Sequence, residues 1–235
     1  MSEDKRLVRS EAVSGRHCRS AASVAGFVLA GGRSSRMGED KALVELAGRP
    51  LVAHALDLLR AAGLEARIAG ARSELNRFAP VVADEEGDRG PLGGVVSALA
   101  QTAGEWAAFV SVDMPLMAPE LVAYLAEDAR RTGCAVTLAA CNGFAQTFPA
   151  VIRRDVLAVL RECLKSGTGG CFAAFEAAAR GRGESVRVLP AEVLAQAGQV
   201  SDRRGLWPHQ WFLNVNTREE LGAVVGFHHG RNAWR

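Results

Sequence analysis

No stretch of the 235-residue sequence approaches the roughly 20 consecutive apolar residues that a membrane span requires. Residues 1–23, rich in Ser, Arg and Ala, lack the apolar core of about 7–15 residues that defines a secretory leader and are expected to be a disordered lead-in. The five cysteines, Cys18, Cys134, Cys141, Cys163 and Cys171, are odd in number, scattered, and nowhere in C-x-x-C spacing. That argues against a disulfide scaffold and a structural zinc site, and predicts reduced thiols in a cytoplasm. Charge of one sign is scarce too: 28 Lys and Arg against 26 Asp and Glu leave a net +2. So small an excess gives no bulk attraction for nucleic acid or a membrane surface, and positive potential must be local. Internal repeats and low-complexity domains are missing, and no Ser-His or Cys-His pair is set out for nucleophilic catalysis.

The most informative stretch that is present runs from Phe27 to Lys41. Val28 to Ala30 read as a buried strand, and Gly31-Gly32 let the backbone turn sharply and approach a ligand with no Cβ in the way. Successive N–H groups there can face phosphate oxygens, while Arg33, Arg36 and Lys41 bring mobile positive charge just beyond the turn. The loop is neither of the two common glycine motifs. A P-loop would place Lys after the glycine at position 38, where this chain has Glu39, and a G-x-G-x-x-G fingerprint is incompatible with adjacent Gly31 and Gly32. The spacing therefore predicts a polyphosphate loop of another kind.

The rest of the chain alternates strands and helices. Leu51, Ala55, Leu58, Leu59 and Ala62 form one apolar stripe, with Pro50 at the start and Gly63 past the end, which predicts a helix over Pro50–Ala62. His54 falls off that stripe and reads as solvated. Short strands are expected at Ala66–Ala69 and Val81–Val82, a helix at Leu92–Ala103, and a strand buried on both faces at Trp106–Val112. A helix near Pro119–Arg131, a strand near Ala135–Ala140, helices near Asp155–Leu164 and Cys171–Ala179, and a strand near Val186–Leu189 continue the pattern of a three-layer α/β fold. At this length one domain suffices, with boundaries expected at residues 24–225 and a C-terminal tail over 226–235.

In such folds ligands bind beyond the carboxyl ends of the strands. Besides the glycine loop, Asp113 and the segment Asn214-Val215-Asn216-Thr217 fall there. Asp113 emerges at a strand end and is stiffened by Pro115; it suits a divalent cation of the magnesium kind, or else caps the helix at Pro119 or a turn. Asp84, just past Val81-Val82, is placed to reach a ribose hydroxyl or a base. Gly90-Pro91-Leu92-Gly93-Gly94 is either a second surface of close approach, able to admit a flat base, or an entry turn to a helix. Asn214 and Asn216, one residue apart, can grip a polar ligand; Thr217 with Glu220 fits a capping box for a following helix, and both roles are compatible.

These motifs together, Leu29-Ala30-Gly31-Gly32-x-Ser34-x-Arg36-Met37-Gly38-x-Asp40-Lys41, Gly48-x-Pro50-Leu51, Gly90-Pro91-Leu92-x-Gly94, Asp113-x-Pro115 and Asn214-Val215-Asn216-Thr217, resemble those of the molybdenum cofactor guanylyltransferases over about residues 24–225. The resemblance implies a three-layer α/β/α nucleotidyltransferase with a Rossmann-like, mostly parallel sheet. It implies transfer of GMP from GTP to molybdopterin-bound molybdenum with release of pyrophosphate, and transient contact with molybdenum insertion proteins or target molybdoenzymes. By the same resemblance Leu29, Ala30, Gly31 and Gly32 bind the nucleotide, Lys41 and Arg36 act on the phosphates, and Asp113 holds Mg²⁺. Asp84, with Gly90, Pro91 and Leu92, lies on the guanosine side, and Asn214 and Asn216 on the pterin side. Two departures stand out: Gly70-Ala71-Arg72 replaces an asparagine often found after the second strand, and residues 141–148 lack the usual basic side chains. A cytidylyltransferase acting on the same cofactor or on a sugar or polyol phosphate remains the alternative enzyme, and a GTP-binding sensor without turnover the alternative of another class.

Overall fold

The structure, a computed structural model, describes residues 24–30, 40–70, 72–84, 89–167 and 169–228. In chain order the elements are β1 (Ala25–Leu29), a hairpin of β2 (Glu45–Leu46) and β3 (Arg49–Pro50), α1 (Leu51–Ala61), β4 (Glu65–Ala69), β5 (Val81–Val82), α2 (Gly90–Gln101), β6 (Trp106–Ser111) and α3 (Pro119–Thr132). There follow β7 (Val136–Cys141), β8 (Phe144–Arg153), α4 (Leu157–Ser166), α5 (Gly170–Arg180), β9 (Arg187–Pro190), α6 (Ala191–Gln196), α7 (Pro208–Trp211) and α8 (Arg218–His228). Seven strands form one sheet in the order β5-β4-β1-β6-β8-β7-β9. Each neighbouring pair is parallel except those made by β8, which runs against both β6 and β7. No helix of the described residues is long and apolar enough to cross a membrane.

The sheet is covered on both faces because its strands are apolar on both. Along β1, Phe27 and Leu29 join a core with Val95, Leu99, Leu160 and Phe175 of α2, α4 and α5. Val28, pointing the other way, joins Leu56, Leu59, Leu121 and Leu125 of α1 and α3. In β6 the same alternation sends Phe109 to the first core and Val110 to the second. The Phe27 and Phe109 rings stack at 5.6 Å across this strand pair. Each is fully buried, a contribution of about 2–3 kcal/mol per side chain from water exclusion. The helix expected over Pro50–Ala62 forms within one residue of its predicted bounds, and α3 stops at Gly133, whose φ of +73° gives the left-handed cap that ends a helix.

Several features differ from the sequence expectation. The strand β8 was not expected: Gln146, Thr147 and Pro149 interrupt any apolar run, and a proline argues against a central strand. It is accommodated by an irregularity, since residues 146–149 of β8 face the single residue Ala139 between the pairs Leu138↔Ala150 and Ala140↔Ala145, and the Phe148–Pro149 peptide is cis. His54 is not simply solvated but is half-buried, its Nε2 donating to the Leu46 carbonyl at 2.9 Å and so tying α1 to the hairpin. Finally, α8 continues to His228, into the stretch expected as tail.

A charged clamp holds the edge of the sheet. Asp128 of α3 is 3% exposed. Its Oδ1 accepts from Arg187 Nη2 at 3.0 Å and Arg131 Nη2 at 2.8 Å, and its Oδ2 accepts from Arg187 Nε. Burial alone would raise the Asp128 carboxyl, but the hydrogen bonds and charges of Arg187 and Arg131 hold it below the usual carboxylate value. Removing the charge strands two cations, one on the edge strand β9. Because both arginines reach solvent, we expect Asp128→Asn to lose about 2 kcal/mol in urea unfolding at pH 7. A depressed carboxyl lends stability above its unfolded value and loses it as pH falls through its folded one. The gap between wild type and variant should therefore shrink in urea titrations below the ordinary value of 3.8.

Candidate functional site

The sheet order reverses at β1. The chain leaves β1 for β4 and β5 on one side and returns to β6 on the other, so the crevice beyond the carboxyl ends of β1 and β6 is the expected ligand position. Leu29 and Ser111 are register partners at this end, and Val112 N–H donates to the Leu29 carbonyl at 3.3 Å. Asp113 is the next residue.

Three segments converge there. Ser111 and Asp113, two apart at the strand's end, share a side, and Ser111 Oγ donates to Asp113 Oδ1. Lys41 Nζ donates to Asp113 Oδ2 at 2.7 Å and to Asn216 Oδ1 at 2.6 Å, although these partners lie 72 and 175 residues away. The Lys41 and Asp113 side chains are 17% and 20% exposed, so the pair is sheltered yet reachable. The Asp113 carbonyl accepts from Val215 N–H at 2.9 Å, with Val215 fully buried, and this docks the segment carrying Asn216 against the end of β6.

Local sequence explains each placement. Lys41 opens a 3-10 turn over Lys41–Leu43. Asp40 precedes it in extended conformation, and its Oδ1 accepts from Ala42 N–H at 3.0 Å. Ala42 and Val44 are buried and anchor the turn. Asp40 in turn forms an ion pair with Arg72, from the segment after β4. On the other side, Glu220 accepts from Asn216 N–H at 2.6 Å and Thr217 N–H at 3.0 Å, while Glu220 N–H donates to Thr217 Oγ1 at 3.1 Å. This is the reciprocal capping box the Thr217/Glu220 spacing predicted. The loop after Asp113 is held by Arg204, whose Nη2 donates to the Leu116 and Met117 carbonyls at 2.7 and 3.1 Å and to buried Asp202.

The structure therefore unites Lys41, Asp113 and Asn216, while Asn214 lies exposed on the same segment. Leu29 and Ala30 are buried, and the Ala30 N–H is already used by the Ala69 carbonyl at 3.1 Å. Gly90 and Pro91 open α2 at the same end of the sheet, Gly90 with a φ of +69°. Leu92 is buried among Val95 and Val96, so its side chain belongs to the core. Gly94 packs so closely that an added Cβ would lie 3.2 Å from Leu29 Cδ2. Asp84 follows β5 on this flank and is partly buried. Gly31, Gly32, Arg36 and Ala71 lie outside the described residues. Sequence reasoning missed Ser111 and Arg72. The signal for Ser111 was its position two before Asp113 in a strand; that for Arg72 was Asp40, an acidic residue beside a lysine in a basic loop.

Two of the described cysteines are poor nucleophiles. Burial, followed by a hydrogen bond to Glu192, pushes the Cys141 thiol up to about 11, and burial does the same to Cys171. Among the described residues no cluster of three or more His, Cys, Asp and Glu could cage a metal ion. What the arrangement offers is a cation, a carboxylate and an amide beyond a strand end, the equipment for handling a phosphorylated ligand.

Residues 26–180 match the family model of the MobA-like NTP transferase domain, so the crevice beyond β1 and β6 is that of a nucleotidyltransferase. A probable molybdenum cofactor guanylyltransferase of Pyrococcus horikoshii is 30% identical over 209 residues, covering 84% of this chain and 97% of that protein. The molybdenum cofactor guanylyltransferase of Vibrio cholerae is 44% identical over 100 residues, a match spanning 41% of this chain and about half (49%) of that relative. The crystal structure of molybdopterin-guanine dinucleotide biosynthesis protein A from Archaeoglobus fulgidus superposes with a TM-score of 0.70 over 88% of this chain and 99% of that one, at 19% identity, and shows the shared fold. The chain belongs to the MobA-like molybdenum cofactor guanylyltransferase family.

Glu220 is the joint between α8 and the site. Glu220→Ala removes the acceptor for two backbone N–H groups, and we expect a loss of about 1 kcal/mol, read by calorimetry as a fall of about 2–4 °C in melting temperature.

Proposed function

We propose that this protein transfers GMP from GTP to the terminal phosphate of molybdopterin-bound molybdenum, forming the guanine dinucleotide form of the cofactor and pyrophosphate. The observation that carries the reading is the Lys41 ammonium shared between Asp113 and Asn216. One cation links the carboxylate expected on the nucleotide's phosphates to the amide expected on the acceptor.

In the reaction an oxygen of the acceptor phosphate attacks the α-phosphorus of GTP. The new P–O bond forms as the bond to the β-phosphate oxygen breaks, and pyrophosphate leaves with its electron pair. The chain's part is positioning and charge. Lys41, bound without ligand to Asp113 and Asn216, is a sheltered cation that phosphate oxygens can compete for, and it neutralises charge growing on the leaving group. Arg36 is proposed to assist it. Asn216, released from Lys41, has an amide to turn toward the acceptor, with Asn214 beside it. Gly90, Pro91 and Asp84 are proposed to line the guanosine side.

The donor set suits Mg²⁺. It is a single carboxylate with oxygens of Ser111 and Asn216 close by, and magnesium takes one or two carboxylates and completes its shell with substrate phosphates and water. Asp113 would hold the ion, and the ion would supply neutralisation of the phosphoryl oxygens. Ser111 orients Asp113, and Val215 fixes its backbone. The same reading places the protein in the cytoplasm, where Cys134, Cys141, Cys163 and Cys171, unpaired in the structure, stay reduced.

Pyrophosphate release with GTP and purified molybdenum cofactor tests the proposal. Asp113→Ala and Lys41→Ala are each expected to lower the rate at least about 100-fold, while melting temperature falls by no more than about 3 °C. Release unaffected by either change would refute the mechanism. Calorimetric titration with each of the four NTPs tests the base, and tighter CTP than GTP binding would favour cytidylyl transfer.

A further inference from the structure

We propose that Arg72 is a positioning residue for Lys41, acting through Asp40, so that the loop after β4 sets the aim of the lysine on the opposite flank of the crevice. The inference rests on the functional reading above for its kinetic consequence, but its structural part stands alone.

Asp40 links Arg72 to the turn that carries Lys41. One of its carboxylate oxygens accepts the Ala42 N–H, and its backbone carbonyl accepts from Leu43 and Val44 N–H at 2.9 and 3.2 Å, so Asp40 shapes the turn on which Lys41 rides. The other oxygen meets Arg72 Nη1. Both side chains are about four-fifths covered, at 19% and 21% exposure, which makes the pair less screened than a surface bridge. Arg72 thus fixes the Asp40 rotamer, and the rotamer fixes the cap.

The pairing is also electrostatically necessary. Asp40 is the neighbour of a lysine whose ammonium must point at Asp113 and Asn216. A bare Asp40 carboxylate beside a phosphate site would repel the ligand and compete for Lys41 Nζ, and the Arg72 guanidinium cancels that charge. Arg72 extends from the segment where Gly70 N–H pairs with the Val82 carbonyl at 3.0 Å, so its base is tied to the parallel strands β4 and β5. The arginine therefore carries the rigidity of the sheet into a turn that is followed in the chain by a two-stranded hairpin.

The test uses the full chain in two measurements. The sequence has three lysines, Lys5, Lys41 and Lys165, so ¹³C labelling of lysine ε-carbons gives three assignable NMR signals. Without nucleotide, Arg72→Ala should move the Lys41 signal toward the position of the two other lysines, and Arg72→Lys, which adds a fourth signal from its new lysine, should leave the Lys41 signal near the wild-type position. In pyrophosphate release, Arg72→Ala should lower kcat roughly tenfold, Arg72→Lys should recover most of it, and Arg72→Ala should change neither kcat nor GTP affinity once Lys41 is already alanine. A Lys41 signal unmoved by Arg72→Ala would overturn the proposal. So would an equal loss in both backgrounds, which would make Arg72 a direct nucleotide contact. If the wild type releases no pyrophosphate, the functional reading fails, while the NMR arm still decides the positioning. If Arg72→Ala does not fold, Asp40→Asn replaces it, since it keeps the cap acceptor and removes only the charge that Arg72 grips; an unmoved Lys41 signal in that variant counts equally against the proposal.

Discussion

One ammonium group organises this protein. Lys41 Nζ is bound by a carboxylate at the end of β6 and by an amide just before α8. Those contacts exist only if the glycine-loop flank, the central strand and the C-terminal segment are all in place. Such a charge-assisted bond is roughly twice as strong as a neutral one, and here it is sheltered without being sealed. A fully buried lysine would not be open to phosphate, and a fully exposed one would be hydrated and mobile. The intermediate exposure is what lets the same cation serve as a structural tie and stay within reach of an incoming anion.

The sheet exists to hold that geometry. Parallel strands buried on both faces give β1 and β6 a fixed register, so Leu29 and Ser111 end together and Asp113 begins where the sheet's hydrogen bonding stops. The antiparallel β8 beside β6 adds a strand on the far flank, but it contributes no described side chain to the Lys41 cluster. Stability and chemistry are therefore separable to a useful degree. The Asp128 clamp works on the edge strand β9, whereas Ser111, Asp113 and Val215 work at the centre.

Much of this layering was legible in the amino-acid order. Continuous apolar runs such as Trp106–Val112 signal strands buried on both faces, and Pro50 with Gly63 bracket α1 cleanly. β8 was not legible, because Gln146, Thr147 and Pro149 break its pattern, and its place between β6 and β7 depends on tertiary partners rather than on its own propensity. The hairpin of β2 and β3 is two residues a side, too short to carry a periodicity. At the site, Lys41, Asp113 and Asn216 could each be named from its local context, but nothing local states that one ammonium touches both partners across such long separations in sequence. Arg72 drew notice only as part of a departure from a family pattern; its tie to Asp40 is a contact between loops, which no one-dimensional period encodes.

The tie between the Asp113 carbonyl and Val215 N–H has a consequence for synthesis of the chain. A ribosome delivers Lys41 first and Asp113 after it, whereas Val215 and Asn216 follow Asp113 by 102 and 103 residues. Until they leave the exit tunnel, the Lys41 ammonium has only one of its two holders and the end of β6 lacks its cover. Until then the crevice is unfinished, and the docking of the segment around Val215 completes it. The order of synthesis thus makes the contact between Asp113 and Val215 the one that joins segments already made to one made well after them.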